Sequence, residues 1–221
     1  MVDVVLAGCG AMSKAWLEAA RRIDGLSIVG LVDIDIARAR LRAEEFGLDG
    51  VEVAASLDAM LDRRPVDAVF DVVIPEARTS VARAAFAHGR HLLSEKPLAA
   101  NLDEARALVA TGRAAGIVHA VVQNRRYHPG VRRIGRLIRS GALGRPTSLH
   151  ADFFLAPHFG GFREEMQHVL LVDMAIHTFD AARAMTGLEG ERVYCREWEP
   201  ANSWYRQGSS AIAIFDMGGG L

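Results

Sequence analysis

A chain of 221 residues, 50% hydrophobic and 24% charged, has ordinary globular composition and suffices for one large domain or two small ones. Its net charge of −1 excludes a chain-wide attraction to nucleic acid or to an anionic membrane. Cys9 and Cys195 match no disulfide or metal spacing, no apolar run reaches a membrane span, and the short run around Asp3 is no signal peptide, so a cytoplasmic location is expected.

Val2 to Ala7 is a β-branched, apolar run that stops at Gly8-Cys9-Gly10, and a helix-compatible stretch, Ala11 to Arg22, follows. This is the strand, glycine turn and helix start of a dinucleotide-binding unit. Gly8 allows the tight turn, and Gly10 allows a pyrophosphate close to the backbone. The helix start at Ala11 and Met12 offers free N–H groups and a partial positive charge. Ser13 takes the third small position. An ordinary strand–helix turn is the alternative. A second strand, Leu26 to Val32, ends in Asp33, twenty-five residues beyond Gly8, where a carboxylate binds ribose hydroxyls and repels a 2′-phosphate. That favours NAD, with NADP kept open by Arg38 and Arg40. A helix cap or loop acid is the alternative for Asp33.

Ile36 to Phe46 reads as a helix, Val51 to Val53 as a strand, and Leu57 to Arg63 as a helix capped by Ser56. Asp67 to Ile74 reads as a buried strand ended by Pro75. A helix over Thr79 to His88, a strand over His91 to Ser94, a helix over Leu102 to Arg113 and a strand over Ile117 to Val122 complete the alternation. Six strands alternating with helices predict a parallel, doubly wound α/β sheet over residues 1–122, with ligands at the carboxyl ends of its strands. Glu95-Lys96-Pro97 lies at such an end. The lysine there can orient a substrate hydroxyl, and the proline bond is of the kind that can be cis. The alternative is a surface Glu–Lys pair.

From residue 123 the pattern changes. Val131 to Ser140 reads as a helix with Arg132, Arg133, Arg136 and Arg139. Without interleaved aromatics this run reads as a solvated face, and no nucleic-acid partner is expected. Strands over Thr147 to Leu155, Glu191 to Trp198 and Ser209 to Met217 predict an α+β domain over 123–221 with a mostly antiparallel, incomplete sheet. Between them, Asp173 and His177 are one helical turn apart. That spacing suits a hydroxyl-binding, proton-accepting pair, a metal site with His168, or a buried histidine satisfied by an acid. On the residues alone all three stay open.

Asp67-Ala68-Val69, Pro75, Gly89, Ser94-Glu95-Lys96-Pro97-Leu98-Ala99, Asn124-Arg125-Arg126-Tyr127-His128-Pro129 and Gly141-Ala142-Leu143-Gly144, in that order, resemble the glucose–fructose oxidoreductase / inositol dehydrogenase (Gfo/Idh/MocA) family. The resemblance covers essentially the whole chain. It implies an NAD(P)-dependent oxidoreductase moving hydride between nicotinamide and a sugar, polyol or related hydroxy or keto substrate. Lys96 and His177 become the catalytic pair and Asp173 a substrate contact, with no metal. Gly8, Gly10, Ala11, Met12, Asp33, Arg38, Ile74, Pro75, Glu95, Lys96 and Pro97 become the cofactor-binding set. A homo-oligomer is expected, because members often associate through the second sheet. Two departures stand out: Arg78 replaces a histidine usual seventeen residues before the glutamate, and Glu164 to His168 replace a glycine-rich stretch. Members normally run on for about another hundred residues, so the chain reads as shortened at its C-terminus. A cofactor- or sugar-binding module without turnover is the alternative function.

Overall fold

The computed structural model describes residues 1–221. Its contacts divide the chain into two units, Met1–Val122 and Gln123–Leu221.

The first unit is a six-stranded parallel sheet in the order β3-β2-β1-β4-β5-β6. The strands are β1 (Val2–Ala7), β2 (Leu26–Val32), β3 (Glu52–Ala54), β4 (Ala68–Asp71), β5 (His91–Ser94) and β6 (His119–Val121). Helices α1 (Ala11–Ala20), α2 (Ile36–Glu45), α3 (Leu57–Arg63), α4 (Pro75–Ala87) and α5 (Leu102–Ala114) connect them. Side chains alternate along a strand, so a sheet covered on both faces needs apolar residues at every position. In β1, Val4 and Leu6 pack with Trp16, Leu17, Leu31 and Phe46. Val5 and Ala7 pack on the other face with Met60, Val69, Ala82 and Phe86. The strand order reverses between β1 and β4, and ligands of such sheets bind outside the carboxyl ends at this point.

Three helices begin on the side chain the sequence offers: Asp35 caps α2, Ser56 caps α3 and Asn101 caps α5. The end of β4 and the start of α4 differ most from expectation. β4 ends at Asp71, three residues early, and Pro75 opens α4 rather than closing a strand. Proline lacks the N–H that a first helical residue leaves unpaired anyway.

The second unit holds α6 (Pro129–Arg139), α7 (Ile176–Thr186) and the antiparallel pair β7 (Gly190–Trp198) and β8 (Ser210–Met217). Phe179 of α7 meets Phe215 of β8 edge-on, 5.0 Å between ring centroids. Arg126 grips Asp180 of α7 through two nitrogens, at 2.8 and 2.5 Å. The strand expected over Thr147 to Leu155 does not form, and residues 146–160 carry no regular structure. A strand needs a ladder partner for its backbone groups, and β7 and β8 pair only with each other.

Candidate active site

The glycine turn after β1 contains two glycines with different duties. Gly8 has φ +97°, and a Cβ there would lie 2.7 Å from backbone atoms of Val72 and Val73. The fold itself therefore demands glycine. Gly10 has an ordinary extended backbone, and its Cβ position meets nothing within 4 Å. No side chain caps α1, and Ala11 and Met12 lie exposed at its start. That open backbone is the kind of cradle a phosphate group occupies. Ser13 is fully buried and donates to the Gly10 carbonyl at 2.6 Å, closing the turn from inside.

Two residues hold the turn from behind. Asp33 is 7% exposed; one oxygen accepts from Cys9 N at 2.8 Å and the other from Asp35 N at 2.9 Å. A carboxylate has about four lone-pair positions, so capacity remains for ribose hydroxyls. Arg38 lies 3.6 Å from Asp33 and is half exposed. Arg42, which sequence reading passed over, donates from one nitrogen to the carbonyls of Cys9 and Gly10, both at 3.2 Å. Burial, reinforced by Asp33, pushes the Cys9 thiol up to about 12, so Cys9 is an inert packing residue.

A groove of about 420 Å³ opens beside the turn, lined by Gly8, Gly10, Asp33, Arg38 and Ile74 among others. Ile34 and Ile74 stand at it with 93% and 48% exposure, an apolar rim that a flat ring would cover. Pro75, Glu95, Lys96 and Pro97 are not part of this lining. Glu95 turns inward instead: it accepts from Trp16 Nε1 at 2.8 Å and from Lys96 N at 3.1 Å. It ties β5 to α1 rather than facing the groove. Lys96 is half-buried at the carboxyl end of β5, and the Lys96–Pro97 bond is cis.

Arg78, noted in the sequence only as a departure, is 1% exposed. Its guanidinium donates to Asp71 Oδ2 at 3.2 Å, to the Val73 carbonyl at 2.6 Å and to the Pro97 carbonyl. One side chain thus joins the end of β4, the segment before α4 and the Lys96–Pro97 segment. Burial drives the pair: it raises the Asp71 carboxyl to about 6 against the pull of Arg78, and it lowers Arg78. A composition signal was also present. The chain has only two lysines, Lys14 and Lys96, among 26 basic residues. Where arginine serves almost everywhere else, a lysine at a strand end stands out.

In the second unit, Asp173 and His177 do not share a continuous α-helix. Asp173 lies on a π-helical turn, Leu170–Ala175, and His177 in the first turn of α7. Such turns are enriched at functional sites. Asp173 is 1% and His177 7% exposed. Arg163 donates to Asp173 Oδ2 at 2.7 Å, a charge-assisted bond that fixes the carboxylate. Asp173 and Arg163 line a cavity of about 210 Å³ with Asn202, Ser203, Trp204 and Tyr205. His168 pairs with Glu197 at 2.5 Å, and no three His, Cys, Asp or Glu side chains assemble into a metal-holding group. The His168 backbone is left-handed, φ 53°, in the stretch where the resemblance leads one to expect glycines.

Residues 2–123 match the model described as the oxidoreductase family, NAD-binding Rossmann fold, and residues 131–220 match the GFO/IDH/MocA C-terminal domain. The chain belongs to the Gfo/Idh/MocA oxidoreductase family. Its first unit is that family's NAD-binding Rossmann fold. The D-apiose dehydrogenase of Paraburkholderia graminis is 34% identical over 82% of the chain and 49% of its own length. The inositol 2-dehydrogenase 1 of Paenarthrobacter aurescens is 30% identical over 90% of the chain and 58% of its own length. Among solved structures, scyllo-inositol dehydrogenase of Lactobacillus casei with bound NAD(H) and scyllo-inositol superposes with a TM-score of 0.77 at 20% identity, covering 99% of the chain and 65% of that protein. That likeness establishes the Gfo/Idh/MocA fold. The chain spans about half to three-fifths of the length of these two curated relatives.

Proposed function

We propose that the chain is the cofactor- and substrate-binding portion of an NAD-dependent dehydrogenase acting on a sugar or polyol hydroxyl. The observation that carries this reading is the turn at Gly8 and Gly10, open at its ligand face and anchored from behind by Asp33 and Arg42. Asp33 favours NAD, because its carboxylate accepts ribose hydroxyls and repels a 2′-phosphate; Arg38 beside it leaves NADP a secondary choice. The dehydrogenase names of the relatives support the reaction class, and their sugar and inositol substrates support the substrate class.

Bound there, the nicotinamide supplies the hydride acceptor, or the donor in the reverse direction. The chain's own residues divide the rest. Lys96 hydrogen-bonds the reacting oxygen and offsets the negative charge that develops on it. His177, as the neutral imidazole, takes the hydroxyl proton. Asp173, fixed by Arg163, accepts from a neighbouring substrate hydroxyl and orients the ring. Location in the cytoplasm and assembly into a homo-oligomer belong to the same proposal.

The test is a polyol and aldose panel with NAD⁺, followed by NADH absorbance. Lys96→Ala and His177→Ala should each lower kcat by about 10²–10⁴-fold while NADH binding persists. Full turnover in both variants would remove the assignment. NADH binding with no oxidation across the panel would favour a binding module instead.

A further inference from the structure

The segment from Ala105 to Ala151 holds nine arginines and no aspartate, glutamate or lysine, within a chain whose net charge is −1. Four of the nine meet around one depression in the second unit, of about 340 Å³. Arg126, Arg132, Arg136 and Arg139 line it together with Tyr127. Arg132, Arg136 and Arg139 recur at spacings of four and three and so share a face of α6. The floor is made of small residues, Gly135 and Ala184. Gly135 is buried, and a Cβ there would stand 3.1 Å from Arg139 Nη1. The missing side chain is what lets the Arg139 guanidinium fold back along the helix.

The charge on Arg132, Arg136 and Arg139 is not neutralised locally. No carboxylate lines the depression. Of the two nearby acids, Asp180 holds Arg126, at 2.8 and 2.5 Å, and Glu189 holds Arg183, which lies outside the lining, at 2.6 and 2.7 Å; neither pairs with Arg132, Arg136 or Arg139. The C-terminal dipole of α6 carries about half an elementary charge. It offsets less than one of the three arginines on that face. Like charges one turn apart destabilise a helix, so the cluster costs the fold stability unless an anion neutralises it.

We propose that this depression is an anion site for a small phosphate-bearing ligand, a phosphate ester or a diphosphate. The guanidinium fork matches two phosphate oxygens at once. The concavity favours a compact anion over a nucleic-acid backbone, which tracks a longer basic strip. Arg125, which would extend such a strip, lies over the Phe153 ring at 4.9 Å and is not a wall of the depression. The site lies entirely within the second unit and does not depend on the dehydrogenase reading.

The test is calorimetric titration of the whole chain with inorganic pyrophosphate, at ionic strength held constant with NaCl. Three proteins are compared: wild type, Arg132→Gln/Arg136→Gln/Arg139→Gln, and a control with the same charge change, Arg22→Gln/Arg106→Gln/Arg113→Gln. All six positions are exposed, so both variants should fold. Wild type and control are expected to bind saturably, with affinity lower by about tenfold or more in the α6 variant. Three results would overturn the proposal. One is no saturable binding to wild type. Another is equal binding to the α6 variant, which would place the pyrophosphate elsewhere, such as at the glycine turn. The third is a DNA duplex binding wild type more tightly than pyrophosphate does and losing that binding in the α6 variant.

Discussion

Gly8 and Gly10 are two residues apart and answer to different constraints. Gly8 sits in the left-handed region with backbone 2.7 Å from its would-be Cβ, so the fold excludes any side chain there. Gly8→Ala should lower stability by about 2–4 kcal/mol, combining the conformational cost with forced movement of the Val72–Val73 backbone. Gly10 faces open space, so Gly10→Ala should leave the urea midpoint nearly unchanged and weaken NADH binding by about tenfold or more. Equal effects of the two substitutions on stability would contradict this division. Asp33 shows the same doubling within one side chain. It pins the turn through Cys9 N and keeps acceptor capacity towards ribose. The sequence motif revealed that an acid belongs at this position. It did not reveal Arg42, because only the folded chain brings residue 42 back to the carbonyls of residues 9 and 10.

At the scale of elements, the Arg78–Asp71 pair carries the most consequence. It connects β4, α4 and the segment after β5 inside the protein. The folded Asp71 carboxyl holds its proton up to about pH 6, whereas its ordinary value is 3.8. Between those values the folded state binds a proton the unfolded chain has released. Asp71 therefore makes stability fall as pH rises from about 4 to about 6 and adds no slope above that window. Arg78→Met leaves the Asp71 carboxylate buried without its guanidinium, which should cost about 3–5 kcal/mol at pH 8. At pH 5 the carboxyl can neutralise itself, so the penalty should shrink there. Urea unfolding at the two pH values measures it, and a penalty independent of pH would show that Asp71 does not carry the effect. The strands of the first unit were legible because burial on both faces writes them as apolar runs. The run over Thr147 to Leu155 misled for a related reason: its local character suits a strand, yet pairing depends on a neighbour that local sequence does not supply. The π-helical turn under Asp173 was hidden too, since the spacing from Asp173 to His177 also fits one α-helical turn.

For the whole molecule, family membership was legible because Glu95-Lys96-Pro97 and the segments around it carry specific residues in a fixed order. The site was less so. The groove collects Gly8, Gly10, Asp33, Arg38 and Ile74 but not Glu95, which the fold takes for Trp16. This hydrogen bond joins residues 79 apart in sequence, beyond any motif. The central claim is that the first unit binds NAD(H) through this turn. A fluorescence titration of the purified chain with NADH, and in parallel with NADPH, tests it most directly, with circular dichroism on the same sample to establish that it is folded. Saturable NADH binding is expected, tighter than NADPH by about tenfold or more if Asp33 takes the proposed role of accepting from the ribose hydroxyls. A folded chain that binds neither dinucleotide, or that prefers NADPH, would contradict it.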